Sequence, residues 1–311
     1  MKEIKHSTYQ TEVGIDVSKE TLRVHIDGKQ KDWANTPVSV AKLIDECFKN
    51  NGNFRITCES TGSYDAILIL LCLEKGAPVS QVNPTHVKNF IRSFGRHAKT
   101  DTIDACLIAR FARERDPALL GKAWLANHHL KEIQRRIRAL TKIRSSHLAS
   151  IDKYRDKSLV REIRSLITVI DSRIAKHTAK LDALIAADEH LAARRKIMEA
   201  VVGVGPKTCR SLLIDLPELG SLSRGSIAGL VGLAPQHDDS GSHNGSRRIR
   251  AGRKEPRSAL YMAALSAARY NPNIKPVYER LREAGKPAKV AIVAIARKLL
   301  IHLNTQLKPI T

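Results

Sequence analysis

Hydrophobic and polar positions follow two different patterns along the chain, and the first extends over about 120 residues. Short apolar runs rich in β-branched residues alternate here with segments whose apolar positions lie three or four apart, which predicts alternating strands and helices. The order is βββαβαβα, with one more helix at the end. The predicted strands are 13–17, 22–26, 33–35, 54–58 and 79–82, and the predicted helices are 38–50, 66–73, 84–93 and 102–115.

This order of elements narrows the fold class. Three strands joined by short turns pair antiparallel, and later strands reached through helices add in parallel. Such a layout is typical of a ribonuclease-H-like, or RuvC-like, sheet and favours it over a generic α/β domain. We therefore expect an α/β domain of this kind over residues 1–120.

The second pattern begins near residue 128. Apolar positions recur in steps of three and four over 133–151 and again over 159–184, which predicts two long amphipathic helices in an antiparallel hairpin or an intermolecular coiled coil. From residue 196 the chain is rich in Gly, Ala and Leu and predicts short helices, including a helix-hairpin-helix unit, with 241–252 as a loop or twisted hairpin. The fold class is thus α/β plus all-α. The expected domains are 1–120, 121–195 and 196–311.

The charge is unevenly distributed and points to a polyanionic partner. The chain carries a formal net charge of +22. Residues 1–120 hold 17 Lys and Arg against 15 Asp and Glu, whereas residues 121–311 hold 36 against 16. Such a division is expected if chemistry lies in the first part and nucleic-acid binding mostly in the second, although a solvated basic surface is the simpler explanation.

Composition also excludes several classes of protein. The five cysteines form no C-x-x-C pair, which argues against a zinc site and a disulfide framework. The longest apolar runs, 66–73 and 290–296, are short of the roughly 20 residues that span a bilayer, and the N-terminus lacks the apolar core of a signal peptide. We expect a cytoplasmic protein without a membrane segment.

Four acidic residues occupy positions that could form a metal site. Asp16 ends an apolar strand, Glu59 follows another, and Asp101 and Asp104 lie three residues apart at the start of a predicted helix. In a ribonuclease-H-like sheet these elements meet, and clustered carboxylates need cations such as Mg²⁺ or Mn²⁺. Each residue alone has an ordinary explanation as a turn former, a solvated strand end or a helix N-terminal charge.

The C-terminal part carries a second candidate constellation. Ser240 stands in a Gly-rich segment followed by a run of cations, and a serine there could attack phosphorus or merely contact a phosphate. Gly203-Val204-Gly205 joins two predicted helices and fits either a phosphate-contacting hairpin or a structural turn. The candidate nucleic-acid-binding residues are Lys99, Arg135, Arg136, Arg138, Gly203, Gly205, Lys207, Arg247, Arg248, Arg250, Arg253 and Lys254.

Taken together, these motifs resemble those of DEDD-type insertion-sequence transposases with a C-terminal serine, the family that includes the Piv-type DNA invertases. The acidic motifs are GIDVSK at 14–19, ESTG at 59–62 and KTDTIDA at 99–105. The C-terminal signature is GLVGLAP at 229–235 and DSG at 239–241, followed by basic residues. One departure is Ala251, where the family often has a glycine, and it bears on the geometry of the loop.

The resemblance implies more than the residues alone do. It implies a RuvC-like domain that binds Mg²⁺ through Asp16, Glu59, Asp101 and Asp104, and a Ser240 nucleophile that forms a phosphoserine link to DNA. It also implies a structured bridge RNA whose loops pair with donor and target DNA. Dimers and tetramers would assemble through the helical hairpin and the C-terminal domain, and one subunit's RuvC-like domain would join another's serine domain.

Three functions are therefore compared. The first is an RNA-guided DNA recombinase that moves its own insertion sequence. The second is a metal-dependent nuclease of the Holliday-junction-resolvase type, in which the same acids activate water and Ser240 binds phosphate. The third is a non-catalytic nucleic-acid-binding protein, which would require the four carboxylates to be incidental. The order and spacing of the motifs favour the recombinase.

Overall fold

The structure is a computed structural model that describes residues 8–50, 52–93, 105–236, 248–249 and 252–310. The chain divides into two compact units, Met1–Ala126 and Asn127–Thr311. Over the described residues, the first is a mixed α/β unit and the second is helical apart from two short strands. The division into three domains made from the sequence stays a prediction.

A five-stranded mixed sheet forms the centre of the first unit. Its order is β3-β2-β1-β4-β5, in which the first three strands pair antiparallel while β4 and β5 add in parallel. The predicted arrangement, three antiparallel strands followed by strands reached through helices, is thereby confirmed. The strands are β1 Thr11–Val17, β2 Thr21–Ile26, β3 Lys29–Ala34, β4 Phe54–Glu59 and β5 Val79–Val82.

Helices cover both faces of this sheet. Side chains alternate along β1, so Val13, Ile15 and Val17 join the apolar core with α1 and α2, whereas the other face of β1 contacts α4. A smaller cluster between α3 and α4 includes Phe90 and Phe111. The helices of this unit are α1 Pro37–Asn50, α2 Ala66–Lys75, α3 Pro84–Arg92 and α4 Ala105–Arg115.

Two long helices open the second pattern, as the periodicity predicts. Helix α5 covers Lys122–Ser150, a 3-10 turn follows at Ile151–Lys153, and α6 covers Lys157–Ala187. The Asp156 side chain caps α6 by accepting a hydrogen bond from the Ser158 amide at 2.7 Å. The predicted break at 153–157 is therefore confirmed: α5 and its 3-10 turn end where it begins, and the Asp156 cap starts α6 where it ends.

The remaining helices of the second unit surround one apolar core. That core includes Leu181, Met198, Leu212, Leu260 and Leu299, all buried. Strands β6 Pro235–Gln236 and β7 Arg248–Ile249 pair antiparallel at its surface. The helices are α7 Glu189–Glu199, α8 Pro206–Asp215, α9 Arg224–Val231, α10 Lys254–Tyr270, α11 Lys275–Glu283 and α12 Ala288–Leu307.

Helix α12 bears on the expectation that the protein has no membrane segment. The segment Ala288–Ile310 is long and apolar enough to cross a membrane by length and composition, although its continuous apolar runs are short. Its Ile295, Leu299 and Leu303 side chains lie in the core of the second unit. The apolar character of the helix therefore serves packing within the protein.

Candidate functional site

Asp16 and Glu59 lie next to each other on adjacent strands. Strands β1 and β4 pair in parallel with Ile15 opposite Cys58, and the next residue along each strand is Asp16 and Glu59. Adjacent strands are about 4.8 Å apart, so the two carboxylates lie side by side at the edge of the sheet formed by the carboxyl ends of β1 and β4. Asp16 is half-buried and Glu59 is 9% exposed. The structure thus brings together these two predicted acids.

The electrostatics of this pair favour a cation. Burial raises the pKa of Glu59, the negative charge of Asp16 raises it further, and Lys88 of α3 acts in the opposite direction. Two carboxylates that repel each other in a partly buried position fit a cation-binding role, because a hard cation relieves both costs. The donor set is therefore suited to a divalent metal ion.

The other two predicted acids lie outside the described residues, as does Lys99. Asp101 and Asp104 precede Ala105, the first described residue of α4. Within the ranges that the structure describes, no group of three or more His, Cys, Asp or Glu side chains could hold a metal ion. The structure therefore gives the location of Asp16 and Glu59, while Asp101 and Asp104 enter the proposed four-acid cluster from the sequence alone.

Gly14 explains how α4 comes close to the strand that carries Asp16. A Cβ atom at Gly14 would lie 2.1 Å from the carbonyl oxygen of Ala105 and 2.9 Å from the Cβ of Ala109. No L side chain fits in this space, so the strand needs glycine two residues before the acid. The N-terminal end of α4 is consequently seated directly on β1.

We expect Gly14→Ala to destabilise the first unit by about 2 kcal/mol, because the added methyl group must displace the backbone of α4. Urea unfolding measures the effect. Gly52→Ala is the matched control, since a Cβ at Gly52 meets no atom within 4 Å. Equal unfolding midpoints for the two variants would show that the close approach of α4 is not required.

We expect Glu59→Gln to stabilise the metal-free protein at neutral pH. Because the folded state raises the pKa of Glu59, ionisation costs stability as the pH rises above the ordinary value of 4.5, and the neutral amide removes this cost. In thermal melts with chelator, the variant should unfold at a higher temperature than the wild type at pH 8, and the difference should shrink towards pH 4.5.

Added Mg²⁺ should reverse the order, since the wild type gains stability from binding and the variant gains less. Glu20→Gln, at an exposed position after β1, is the control and should behave as the wild type. A wild type that is more stable than Glu59→Gln in chelator at pH 8 would contradict the assigned electrostatics.

Two polar residues that the sequence reasoning missed hold the loops beside the acids. The Asn35 side chain donates hydrogen bonds to the carbonyl oxygens of Ser18, at 2.9 Å, and Tyr64, at 3.0 Å. The buried Asp65 carboxylate accepts hydrogen bonds from Gln81 and from the Thr61 hydroxyl. These contacts fix the turn after Asp16 and the turn after Glu59. Asn and Asp in loops are the available sequence signal, and it is a weak one.

The segment that contains Ser240 begins and ends at paired strands. Ser240 itself lies outside the described residues, but Pro235–Gln236 and Arg248–Ile249 pair on either side of it. Gly252 has a left-handed φ of 75°, and a Cβ there would lie 2.3 Å from the Gly232 amide nitrogen. Glycine is therefore required at 252, whereas Ala251, the departure from the family pattern, lies outside the described residues.

Charged residues of the second unit form a network around Arg253, which follows β7 by four residues. The Arg253 guanidinium makes two hydrogen bonds of 2.6 Å to the Glu218 carboxylate and a third to the Asp215 carbonyl oxygen. Burial alone would raise the pKa of Glu218. The hydrogen bond and the charge of Arg253 outweigh this effect, so the pKa of Glu218 lies below its ordinary value. The pKa of Lys131 in α5 is lowered, first by burial and then by the positive charge of Arg253. No sequence pattern indicates this network.

The predicted nucleic-acid-binding residues occupy different environments. Arg138 forms ion pairs with Asp215 and Glu255, and Arg253 with Glu218, so both have protein partners. Gly203, with a φ of 102°, packs against Ala267 of α10, which is a structural reason for that glycine. Exposed positions are found at Arg136, Gly205, Lys207 and Lys254, whereas Arg135 is half-buried.

For three predicted cations of the C-terminal run, the structure describes no side-chain contacts. Arg247 and Arg250 lie outside the described residues. Arg248 lies in β7, and its backbone pairs with Gln236.

Comparison with known proteins shows what this chain is similar to. Residues 13–158 match a family of DEDD-type transposases related to IS110, and residues 195–279 match the transposase IS116/IS110/IS902 family. The chain is 30% identical over 314 residues to the pilin gene-inverting proteins of Moraxella bovis and Moraxella lacunata, with 94% of both chains covered in each case.

A more distant relative is the uncharacterized 43.6 kDa protein of insertion element IS110 from Streptomyces coelicolor. It is 25% identical over 152 residues, which cover 48% of this chain and 36% of that protein.

The acid-bearing α/β unit and these matches define an enzyme class: the protein is a DNA transposase or recombinase. More particularly, the chain belongs to the IS110/IS116/IS902 family of transposases. A DEDD-type family implies a divalent metal cation, and the adjacent carboxylates of Asp16 and Glu59 fit one.

Proposed function

We propose that the chain is an RNA-guided DNA recombinase that moves its own insertion sequence by cleaving and exchanging DNA strands. The observation that carries the proposal is the side-by-side position of Asp16 and Glu59 on the sheet face that α4 covers. Family membership supplies the reaction class, which is phosphoryl transfer on DNA. The first unit would accordingly be a RuvC-like catalytic domain.

Asp101 and Asp104 complete the proposed acidic set. Ala105 is seated on Gly14, and Asp104 comes directly before Ala105 in the sequence, which supports a position of this segment near β1. The proposed ion is Mg²⁺, with Mn²⁺ able to replace it, because hard oxygen ligands suit both. When bound, it would polarise the scissile phosphodiester and stabilise the attacking and leaving oxygens.

Ser240 is the proposed nucleophile. Its Oγ forms a bond to phosphorus while one bond between phosphorus and a DNA sugar oxygen breaks, and the hydroxyl proton is lost as the leaving oxygen gains one. The phosphodiester energy is kept in the phosphoserine link, so a second DNA strand can displace the serine without an external energy source. The paired strands β6 and β7 lie before and after the segment that contains this serine.

The basic part of the chain would bind the nucleic acid. Exposed Arg136, Lys207 and Lys254 support contacts with phosphates, and the excess of cations after residue 121 supports a large, salt-dependent share of the affinity. Arg138 and Arg253 would have to exchange a carboxylate partner for a phosphate. We keep the three-part organisation 1–120, 121–195 and 196–311 as a proposal about these roles.

The proposed partners are donor DNA, target DNA and a structured bridge RNA, with the protein acting as a homodimer or tetramer. Work on chromosomal DNA would place it in the bacterial cytoplasm, associated with the nucleoid. The pilin gene-inverting proteins are named for an inversion of DNA, and a reaction that exchanges strands between two DNA sites could produce it.

Removal of RNA tests the guided part of the proposal. Protein purified at low salt should carry RNA, and ribonuclease treatment should abolish strand exchange between donor and target DNA, because base pairing in the guide would select both sites. Adding back RNA transcribed from the non-coding end of the element should restore exchange at the same sites. If treated protein exchanges the same sites at the same rate, the RNA-guided part of the proposal is wrong.

A further inference from the structure

Arg55 is a fully buried cation on the same two strands as the acidic pair, nearer their amino ends. It lies on β4 opposite Glu12 of β1, and its side chain is 1% exposed. Side chains alternate along a strand, so the pair of Glu12 and Arg55 lies on the same sheet face as Asp16 and Glu59, four residues earlier on each strand. That separation is about 13 Å along the sheet.

Every donor of the Arg55 guanidinium has an acceptor. Nε and Nη2 bind the two oxygens of Glu12 at 3.1 and 2.7 Å, and Nη1 binds Asp116 Oδ1 at 2.7 Å. The two remaining hydrogen bonds reach the carbonyl oxygens of Ala112, at 2.8 Å, and Pro117, at 3.1 Å. Five N–H donors in a planar fork match this set, and the three donors of a lysine ammonium do not.

These contacts join two strands to the end of one helix. Ala112 lies in the last turns of α4, and Asp116 and Pro117 come directly after the helix. Asp116 has a left-handed φ of 42°, a conformation in which its carboxylate meets Arg55. The carbonyl oxygens at a helix C-terminus favour a cation. Arg55 therefore fixes the C-terminal end of α4 to β1 and β4.

The opposite end of the same helix is seated beside the acids. Ala105, at the start of α4, lies against Gly14, and Gly14 is two residues from Asp16. Ala112 follows Ala105 by seven positions, a helical rise of about 10 Å, so the helix reaches from the acidic edge of the sheet to Arg55. A shift at one end must move the other.

A buried ion pair contributes little to net stability, because desolvation offsets its attraction. What this arrangement supplies is a defined position of α4 on the sheet. We infer that Arg55 is a positioning residue for the metal-binding acids: together with Glu12 and Asp116 it holds α4 so that the helix start stays beside Asp16 and Glu59. This inference rests on the proposed function, in which residues just before α4 supply two metal ligands.

The affinity for Mn²⁺ tests the inference, with the metal alone as the probe in a calorimetric titration of the full chain. Arg55→Lys keeps the charge but loses the fork, and we expect it to bind Mn²⁺ about tenfold more weakly than the wild type. Excess Mn²⁺ should restore its strand cleavage. Arg113→Lys, at an exposed position of α4, is the matched control and should bind as the wild type.

A second variant keeps the test valid if Arg55→Lys does not fold. Asp116→Asn removes one partly exposed carboxylate and retains a residue type that tolerates a left-handed φ, so the fold should survive while Mn²⁺ affinity falls several-fold. Thermal melts of each variant establish that it is folded at the titration temperature. Wild-type Mn²⁺ affinity in a folded Arg55→Lys or Asp116→Asn protein would overturn the inference.

Asp16→Ala in the same titration separates the two levels of the account. If it binds Mn²⁺ as the wild type does, the proposed metal site is wrong and the inference falls with it. If Asp16→Ala loses Mn²⁺ binding while the folded Arg55 and Asp116 variants keep it, the metal site stands and only the positioning role is wrong.

Discussion

Asp16→Ala is expected to reduce strand exchange about a thousandfold or more while the protein stays folded. The residue is half-buried at the edge of the sheet, next to Glu59, so its loss leaves no large cavity in the apolar core. What it removes is a ligand of the metal that stabilises the reacting oxygens, and a loss of roughly 4 kcal/mol of transition-state stabilisation corresponds to that factor.

The measurement is a strand-exchange assay with labelled donor and target DNA, run with Mg²⁺ and again with Mn²⁺. Asp16→Ala combined with Glu59→Ala should be little worse than either alone, because residues that hold one site act as a unit. Asp45→Ala, at an exposed position of α1, is the control and should keep full activity. Wild-type rates in Asp16→Ala, or full wild-type activity in excess chelator, would remove the metal site from the account.

Ser240→Ala is expected to abolish recombination while nucleic-acid binding and Mn²⁺ binding stay at wild-type levels. The change deletes one oxygen, the atom proposed to attack phosphorus, and leaves the cations that bind phosphate in place. Rates should fall to the background of the assay, because alanine has no oxygen that can attack phosphorus. A filter-binding measurement on the same samples separates loss of chemistry from loss of binding.

Ser242→Ala is the matched control for this prediction. Ser242 lies two residues after Ser240 in the same Gly-rich segment, so a general disturbance of the segment should affect both variants. We expect Ser242→Ala to remain largely active. The reverse result, an active Ser240→Ala and an inactive Ser242→Ala, would show that the nucleophile is assigned to the wrong residue.

Much of the first unit could be predicted because its pattern is local. Apolar alternation gave four of the strands within one or two residues, and the Asn51-Gly52 turn signal correctly ended the helix that becomes α1. The pattern predicts the third strand at 33–35, whereas the structure has it at Lys29–Ala34. This edge strand is almost entirely polar and exposed, so hydrophobic periodicity carries no signal for its first residues.

The contacts that shape the site were harder to predict, because they join distant residues. Arg55 meets Glu12 across two strands and Asp116 beyond α4, while Arg253 meets Glu218 across the helices of the second unit. A charged residue in a sequence has the same appearance whether it is solvated or buried. For this reason the sequence predicts only a nucleic-acid contact for Arg253 and indicates no role for Arg55.

Detection of a covalent protein–DNA adduct is the most direct test of the recombinase account. Wild-type protein, its RNA and end-labelled donor DNA are incubated with Mg²⁺, denatured and separated on a gel. The account predicts a labelled species that migrates with the protein, resists denaturant and disappears on protease treatment, in the chelator control and in Ser240→Ala. Cleaved DNA without any such species in the wild type would contradict it, and would indicate a nuclease in which the acids activate water.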